Sequence, residues 1–236
     1  MRKLTAISAL VFCVAFAASA QSQPSSASAS PANAAPQANS ASQQTAQIDG
    51  IAARIGNDVL TDSEVRQLAD YQKLVEGKAQ DRTKVVGELV DQWVVETDAL
   101  ASKFPHPTAA DVSLEFQALL KQFPSREQFQ ARLVQIGLTQ DQVRQVIERQ
   151  LYYIRFLNYK FLAATQVTSA QIQSYYQQDL VPQFQKRGVS VPPMSQVETQ
   201  IRQLLTQEEI NEKAAQWLEE AKARLRIVIQ PLGGGG

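Results

Sequence analysis

Few residues of this chain could carry out covalent or acid–base chemistry. Histidine occurs once, as His106, and cysteine once, as Cys13 in the apolar part of an export-signal pattern. A mature chain without Cys13 has no ligand set for zinc and no Cys–His nucleophile pair. His106 stands between two prolines, and we interpret it as an exposed loop residue rather than a lone acid or base. No glycine-rich phosphate loop or nucleophile-elbow pattern is present. We therefore expect no catalytic residues, no metal site and no cofactor.

Two pairs of adjacent carboxylates invite a second comparison with hydrolytic enzymes. Glu208 and Glu209 form one pair, and Glu219 and Glu220 form the other. Both pairs fall on the polar side of the predicted last helix, where charged residues are usually solvated. Paired-carboxylate catalysis needs two groups facing a common substrate. The pattern therefore favours a solvated helix face.

The best candidate site is a group of aromatic residues on a long helix predicted over residues 140–164. Its core face carries an apolar stripe: Val143, Ile147, Leu151, Ile154 and Phe161. Tyr152, Phe156 and Tyr159 recur at i, i+4 and i+7 on the opposite face. Such a helix is either covered on both sides or displays a surface for a partner. In the first case the last helix covers the three rings. In the second, they line an apolar crevice that binds unfolded polypeptide, with Trp217 as the opposite wall.

The ends of the chain differ in composition from its middle. Arg2 and Lys3 precede a short apolar stretch, and Ala18, Ser19 and Ala20 complete the pattern of a cleavable signal peptide over residues 1–20. Phe12 disfavours lipid attachment at Cys13. Residues 21–47 are rich in Ser, Ala, Gln and Pro, and we expect a disordered tether there and a disordered tail over residues 232–236. The predicted location is the periplasm, without stable membrane insertion.

Charge and cysteine content narrow the possible partners. Lysine and arginine together number 23, as do aspartate and glutamate. Loss of Arg2 and Lys3 with the signal leaves a net charge of about −2, which gives no general attraction to nucleic acid or anionic lipid. Without Cys13 no disulfide can form, so packing alone must stabilise the fold.

The fold class predicted for residues 48–231 is mainly α with a small β-sheet. Alternating residues from Ile51, a turn at residues 56–58 and the following apolar residues indicate a hairpin. Residues 226–229 should form a strand that pairs with it. Cap residues announce the intervening helices: Thr61 with Glu64, Thr108 with Asp111, Ser125 with Gln128, Thr139 with Gln142, and Thr168 with Gln171. In the last helix, near residues 195–225, the apolar stripe changes phase. Either it kinks near Gln207, or its halves pack on different partners.

The order of these patterns is similar to that of a known family. Residues 51–65 resemble the start of the SurA-type periplasmic chaperone domain, and residues 88–91, 129–138 and 142–161 resemble its later segments. Residues 169–176 resemble the join to a parvulin prolyl-isomerase domain, and residues 197–229 the returning helix and strand. Where the family inserts the parvulin domain, this chain has only residues 181–194. The isomerase active-site residues have no positions here.

The resemblance implies a single helical chaperone domain with a main part at 48–180, a loop at 181–194 and a returning part at 195–231. It implies an ATP-independent holdase for unfolded envelope proteins, outer-membrane proteins in particular, without nucleotide or metal. Two alternatives remain open. The chain could be a peptidyl-prolyl isomerase by family, or a non-catalytic scaffold subunit of an envelope complex.

Overall fold

The computed structural model describes residues 49–78 and 80–230. The predicted signal peptide, the tether and the glycine tail lie outside these residues. The described part is mainly helical with one small sheet, which confirms the predicted fold class.

The sheet joins the two ends of the folded chain. Strand β1 (Ile51–Ile55) pairs antiparallel with β2 (Asp58–Thr61) across a tight turn that begins at Gly56, whose φ of 60° favours glycine. Strand β3 (Ile227–Ile229) pairs antiparallel with the other side of β1, so the order is β2-β1-β3. The predicted pairing of the C-terminal strand with the hairpin is confirmed.

The helices follow in chain order between β2 and β3. They are α1 (Asp62–Glu76), α2 (Arg82–Ala101), α3 (Ala109–Leu120), α4 (Arg126–Ile136), α5 (Gln140–Phe161), α6 (Ser169–Tyr175), α7 (Val181–Lys186) and α8 (Met194–Ala223). A 3₁₀ turn (Leu162–Ala164) follows α5, and a π-helical turn (Tyr176–Leu180) joins α6 to α7. The first part of the predicted loop at 181–194 is thus helical. Pro182 is compatible with that helix because it stands in the first turn, where its missing amide hydrogen breaks no helical hydrogen bond.

Local capping explains where most helices begin. Four helices begin with a capping box, at Thr61, Thr108, Thr139 and Thr168. In each box the threonine hydroxyl accepts a hydrogen bond from the backbone amide three residues later, and the side chain of that later residue accepts one from the threonine amide. These four boxes are among the five predicted cap pairs. At Ser125 the hydroxyl accepts a hydrogen bond from the Gln128 amide at 3.3 Å. Each bond satisfies an amide that the first helical turn leaves without a partner.

The interior has two clusters of apolar side chains. The larger combines the sheet, α1, the first halves of α2 and α5, and residues of α3 and α4, with Phe129 at 1% exposure among its most buried members. The smaller combines the later parts of α2, α5 and α8, including Val95, Phe156 and Leu218. Helix α8 is uninterrupted; its first part contacts α6, and its second part contacts α2 and α5. The apolar stripe of α8 therefore changes phase because its two parts pack on different helices.

Candidate functional site

The aromatic residues predicted on α5 do not form one open surface. Tyr152 and Phe156 are only 4% and 1% exposed, whereas Tyr159 is 67% exposed. The ring of Phe104, from the loop after α2, lies 5.9, 5.5 and 5.1 Å from the rings of Tyr152, Phe156 and Tyr159. The expected crevice is therefore wrong for Phe156, which is a core residue. Helix α8 adds Leu218 to the same cluster, but Phe104 is the cover that sequence reasoning missed.

Trp217 does not lie opposite these rings. Its ring packs edge-on against Phe161, with centroids 6.0 Å apart, and the Lys160 ammonium lies 4.7 Å from the Trp217 ring centroid. Residues 159 and 161 differ by about 200° around a helix, so Trp217 contacts a different side of α5 from the exposed Tyr159. The lysine is also paired with Asp98 at 2.8 Å. Trp217 thus belongs to the contact between α5 and α8. It does not form the wall opposite Tyr152, Phe156 and Tyr159 that the sequence predicted.

A small apolar patch remains open at the end of α5. Tyr159 and Leu162 are both exposed, and they stand three residues apart, which places them on neighbouring positions of the helical surface. Phe104 is half-buried against Tyr159. We call these three residues the α5-end patch. It contains the one predicted aromatic residue on α5 that a partner could reach directly.

A larger apolar surface lies on the arm, which we define as residues 169–205: α6, the π turn, α7 and the first part of α8. Within the arm only Ile172 and Ile201 are fully buried, and the rest of its large apolar side chains stay partly or fully accessible. These accessible residues are Tyr175, Tyr176, Leu180, Val181, Phe184, Val189, Val191, Met194, Val197, Leu204 and Leu205. A helical hairpin in a closed bundle would bury most of such side chains. In the arm Val189 and Leu204 are exposed, and the other nine are partly exposed.

Pro182 accounts for the irregular backbone of the arm. Proline lacks an amide hydrogen, and its ring would collide with the carbonyl four residues earlier in a regular α-helix. The π turn at Tyr176–Leu180 immediately precedes it. The Tyr176 hydroxyl then donates a 2.8 Å hydrogen bond to the Pro192 carbonyl, which ties the following loop to the turn. Tyr176 lies in residues 169–176, which the sequence analysis singled out only for their resemblance to a join between domains.

A groove of about 300 Å³ lies between α2 and α5. Its lining residues are Gln92, Val95, Glu96, His106, Gln145, Glu148, Arg149, Tyr152 and Tyr153. The Tyr152 hydroxyl donates to the Phe104 carbonyl at 3.1 Å, and burial followed by the charge of Glu96 raises the pKa of Tyr152. Sequence reasoning singled out His106 and Tyr152 but missed this groove, because its glutamine and glutamate residues have the pattern of ordinary polar helix positions.

The described residues offer no metal-binding cluster. Across 49–78 and 80–230, histidine, cysteine and acidic side chains do not gather in groups of three or more that could hold an ion. In the same ranges no helix has the length and hydropathy needed to cross a bilayer.

Comparisons with known proteins complete the description. No protein-family model matches the chain, and no curated protein matches it. Seven chains of solved structures are similar, and one of them has a TM-score of 0.47 and 10% identity, covering 77% of this chain and 99% of the other. It comes from work on the virulence factor PEB4 and the periplasmic protein Cj1289, described as two structurally related SurA-like chaperones of Campylobacter jejuni.

Proposed function

We propose that this protein is an ATP-independent chaperone that holds unfolded polypeptides, outer-membrane proteins among them, in the periplasm. The observation that carries the proposal is the accessible apolar surface of the arm. The sequence resemblance to the SurA-type domain supports the same function. The proposal assigns no catalytic step to any residue.

The arm has the properties that weak, sequence-tolerant binding needs. Aromatic side chains such as Tyr175 and Phe184 provide large contact areas at a low entropic cost. Full burial of one apolar side chain is worth about 1.5–3 kcal/mol, and half-buried rings contribute part of that. Several such contacts together reach about micromolar affinity. An extended client can obtain them in many registers, because the accessible residues are spread along the arm.

The test is suppression of aggregation when a urea-unfolded outer-membrane protein is diluted into buffer. Phe184→Ser with Leu204→Ser removes two accessible apolar side chains from the arm. Leu114→Ser with Val134→Ser is the matched control, because those residues are 70% and 77% exposed on α3 and α4. Circular dichroism and urea unfolding of each variant show whether it is folded.

We expect the unmodified protein and the control to suppress aggregation equally, and the arm variant to require about tenfold more protein, the equivalent of about 1.4 kcal/mol. Failure of the unmodified protein to suppress aggregation would refute the proposal. An equal loss in both variants would show that general surface hydrophobicity, and not the arm, is responsible. A scaffold subunit would bind a folded partner and leave aggregation unchanged.

A further inference from the structure

We propose that the groove between α2 and α5 binds a basic side chain, lysine or arginine, of an extended polypeptide. The groove is separate from the arm and from the α5-end patch. The inference rests on the proposed function only for the source of the polypeptide.

The groove has the size of a side-chain pocket. Its volume of about 300 Å³ lies at the lower end of the range for ligand-binding clefts. Val95 and Tyr152 are buried in its wall, and Tyr153 is half-buried. A methylene stem can pack against this apolar and aromatic lining while its charged end reaches the polar rim.

The charges of the groove are unbalanced toward the negative. Glu96 and Glu148 both line it, and neither makes an ion pair within 4.0 Å among the described residues. Arg149 is the cation of the lining, but one of its nitrogens lies 3.8 Å from Glu64 and the other donates to the Gln67 amide oxygen at 3.2 Å. The Arg149 guanidinium therefore has its partners in Glu64 and Gln67, and it makes no ion pair with Glu96 or Glu148.

Tyr152 is already engaged on two sides in the groove. The Tyr152 hydroxyl donates to the Phe104 carbonyl, and the imidazole of His106 lies flat on the Tyr152 ring. Glu96 and Glu148 are the anionic groups of the lining with which a cationic guest would pair. A guanidinium or ammonium group complements them, since charge-assisted hydrogen bonds to carboxylate are stronger than neutral ones. A carboxylate or phosphate guest would be repelled.

The experiment compares two short Gly/Ser peptides that differ at one central residue, arginine or its neutral isostere citrulline. Binding is measured by NMR titration of the folded protein without residues 1–20. We expect the arginine peptide to bind about fivefold more tightly, as for exposed pairs with good geometry. Glu96→Gln with Glu148→Gln should remove the difference. Glu212→Gln with Glu220→Gln, two exposed carboxylates on α8, should preserve it.

Each outcome separates the groove from the arm. Equal binding of the two peptides to the unmodified protein overturns the groove proposal, as does a difference that survives Glu96→Gln with Glu148→Gln. A neutral peptide rich in Phe and Leu reports on the arm in parallel, so its failure to bind counts against the proposed chaperone function alone. Raising the salt concentration to about 1 M, where screening acts over about 3 Å, should abolish the arginine preference in the unmodified protein. A preference that persists there also contradicts the proposal.

Discussion

The imidazole of His106 stacks on the phenol ring of Tyr152, with ring centroids 4.2 Å apart and ring planes 7° apart. Phe104, two residues earlier, packs on the same helix, and its carbonyl accepts the Tyr152 hydroxyl. Pro107 is buried after it. The loop that joins α2 to α3 therefore covers the aromatic face of α5. The three rings on that face are buried to different extents, so they contribute differently to stability.

The core position of Phe156 predicts a large stability loss on truncation. Phe156→Ala should lower the free energy of unfolding by about 3–5 kcal/mol, because the ring is enclosed and its removal leaves a cavity. Tyr159→Ala, at an exposed ring on the same helix, should cost less than about 1 kcal/mol. Urea unfolding of both variants checks this. Similar losses for the two substitutions would contradict the burial described here.

The pairing of β3 with β1 predicts a position-dependent effect of proline. The Gly56 amide, just after β1, donates to the Arg226 carbonyl, and the Gln230 amide donates to the Ala52 carbonyl in β1. By alternation the Val228 backbone also faces β1, and the Ile229 amide faces away. Val228→Pro should therefore destabilise the protein by about 1–3 kcal/mol, and Ile229→Pro by clearly less. Thermal unfolding measures both. If Ile229→Pro is the more damaging substitution, the pairing register is wrong.

The environment of Glu88 predicts that its effect on stability depends on pH. Burial raises the pKa of Glu88, although the Gln72 amide donates to it at 2.5 Å, and the charges of Glu76 and Asp91 raise it further. An acid whose folded pKa is raised contributes stability that is present below its unfolded pKa, near 4.5, and is lost as pH rises through the folded value.

Glu88→Gln should therefore be more stable than the unmodified protein at neutral pH, by at most about 1 kcal/mol because the group is partly solvated. The difference should shrink toward pH 4.5. Urea midpoints across this window test the prediction, with Glu220→Gln as an exposed control. A difference that grows as the pH falls would have the wrong sign.

We also expect no prolyl-isomerase activity from the chain without residues 1–20. Residues 181–194 form α7, a loop and the first residue of α8, and a segment of this length is too short to enclose a twisted amide. Catalytic amounts of protein should leave a proline-limited refolding rate unchanged. Acceleration that a single substitution abolishes would prove this expectation wrong.

Locally encoded features of the fold could be predicted from the sequence, and long-range ones could not. A threonine and the acid or amide three residues later determine a helix start between themselves, so the boxes at Thr61 and Thr139 were foreseeable. The strand at residues 227–229 could be assigned a partner because the hairpin was the obvious sheet available. The position of Phe104 could not be foreseen, since periodicity shows that α5 has a second apolar face but not which distant residue covers it.

The accessibility of the apolar residues on the arm could not be predicted from the sequence either. Pro182 and Pro192 mark the arm as irregular, and its apolar residues read as an ordinary buried stripe. Whether such a stripe is covered depends on how many elements pack on it, which is a tertiary property. Here α8 is the long helix that packs on α6 within residues 49–78 and 80–230, and most of the stripe remains accessible.

The sheet that joins both ends of the folded chain has a kinetic consequence. During synthesis β1 and β2 are made well before β3, and Ala53 cannot pair with Ile229 until the intervening chain has been made. Until then β1 keeps an open edge, and a two-stranded hairpin alone is barely stable. Closing so long a loop adds a contact of high sequence separation, which slows folding. The native sheet is therefore among the last parts to form, and its completion covers the edge of β1 that the hairpin alone leaves open.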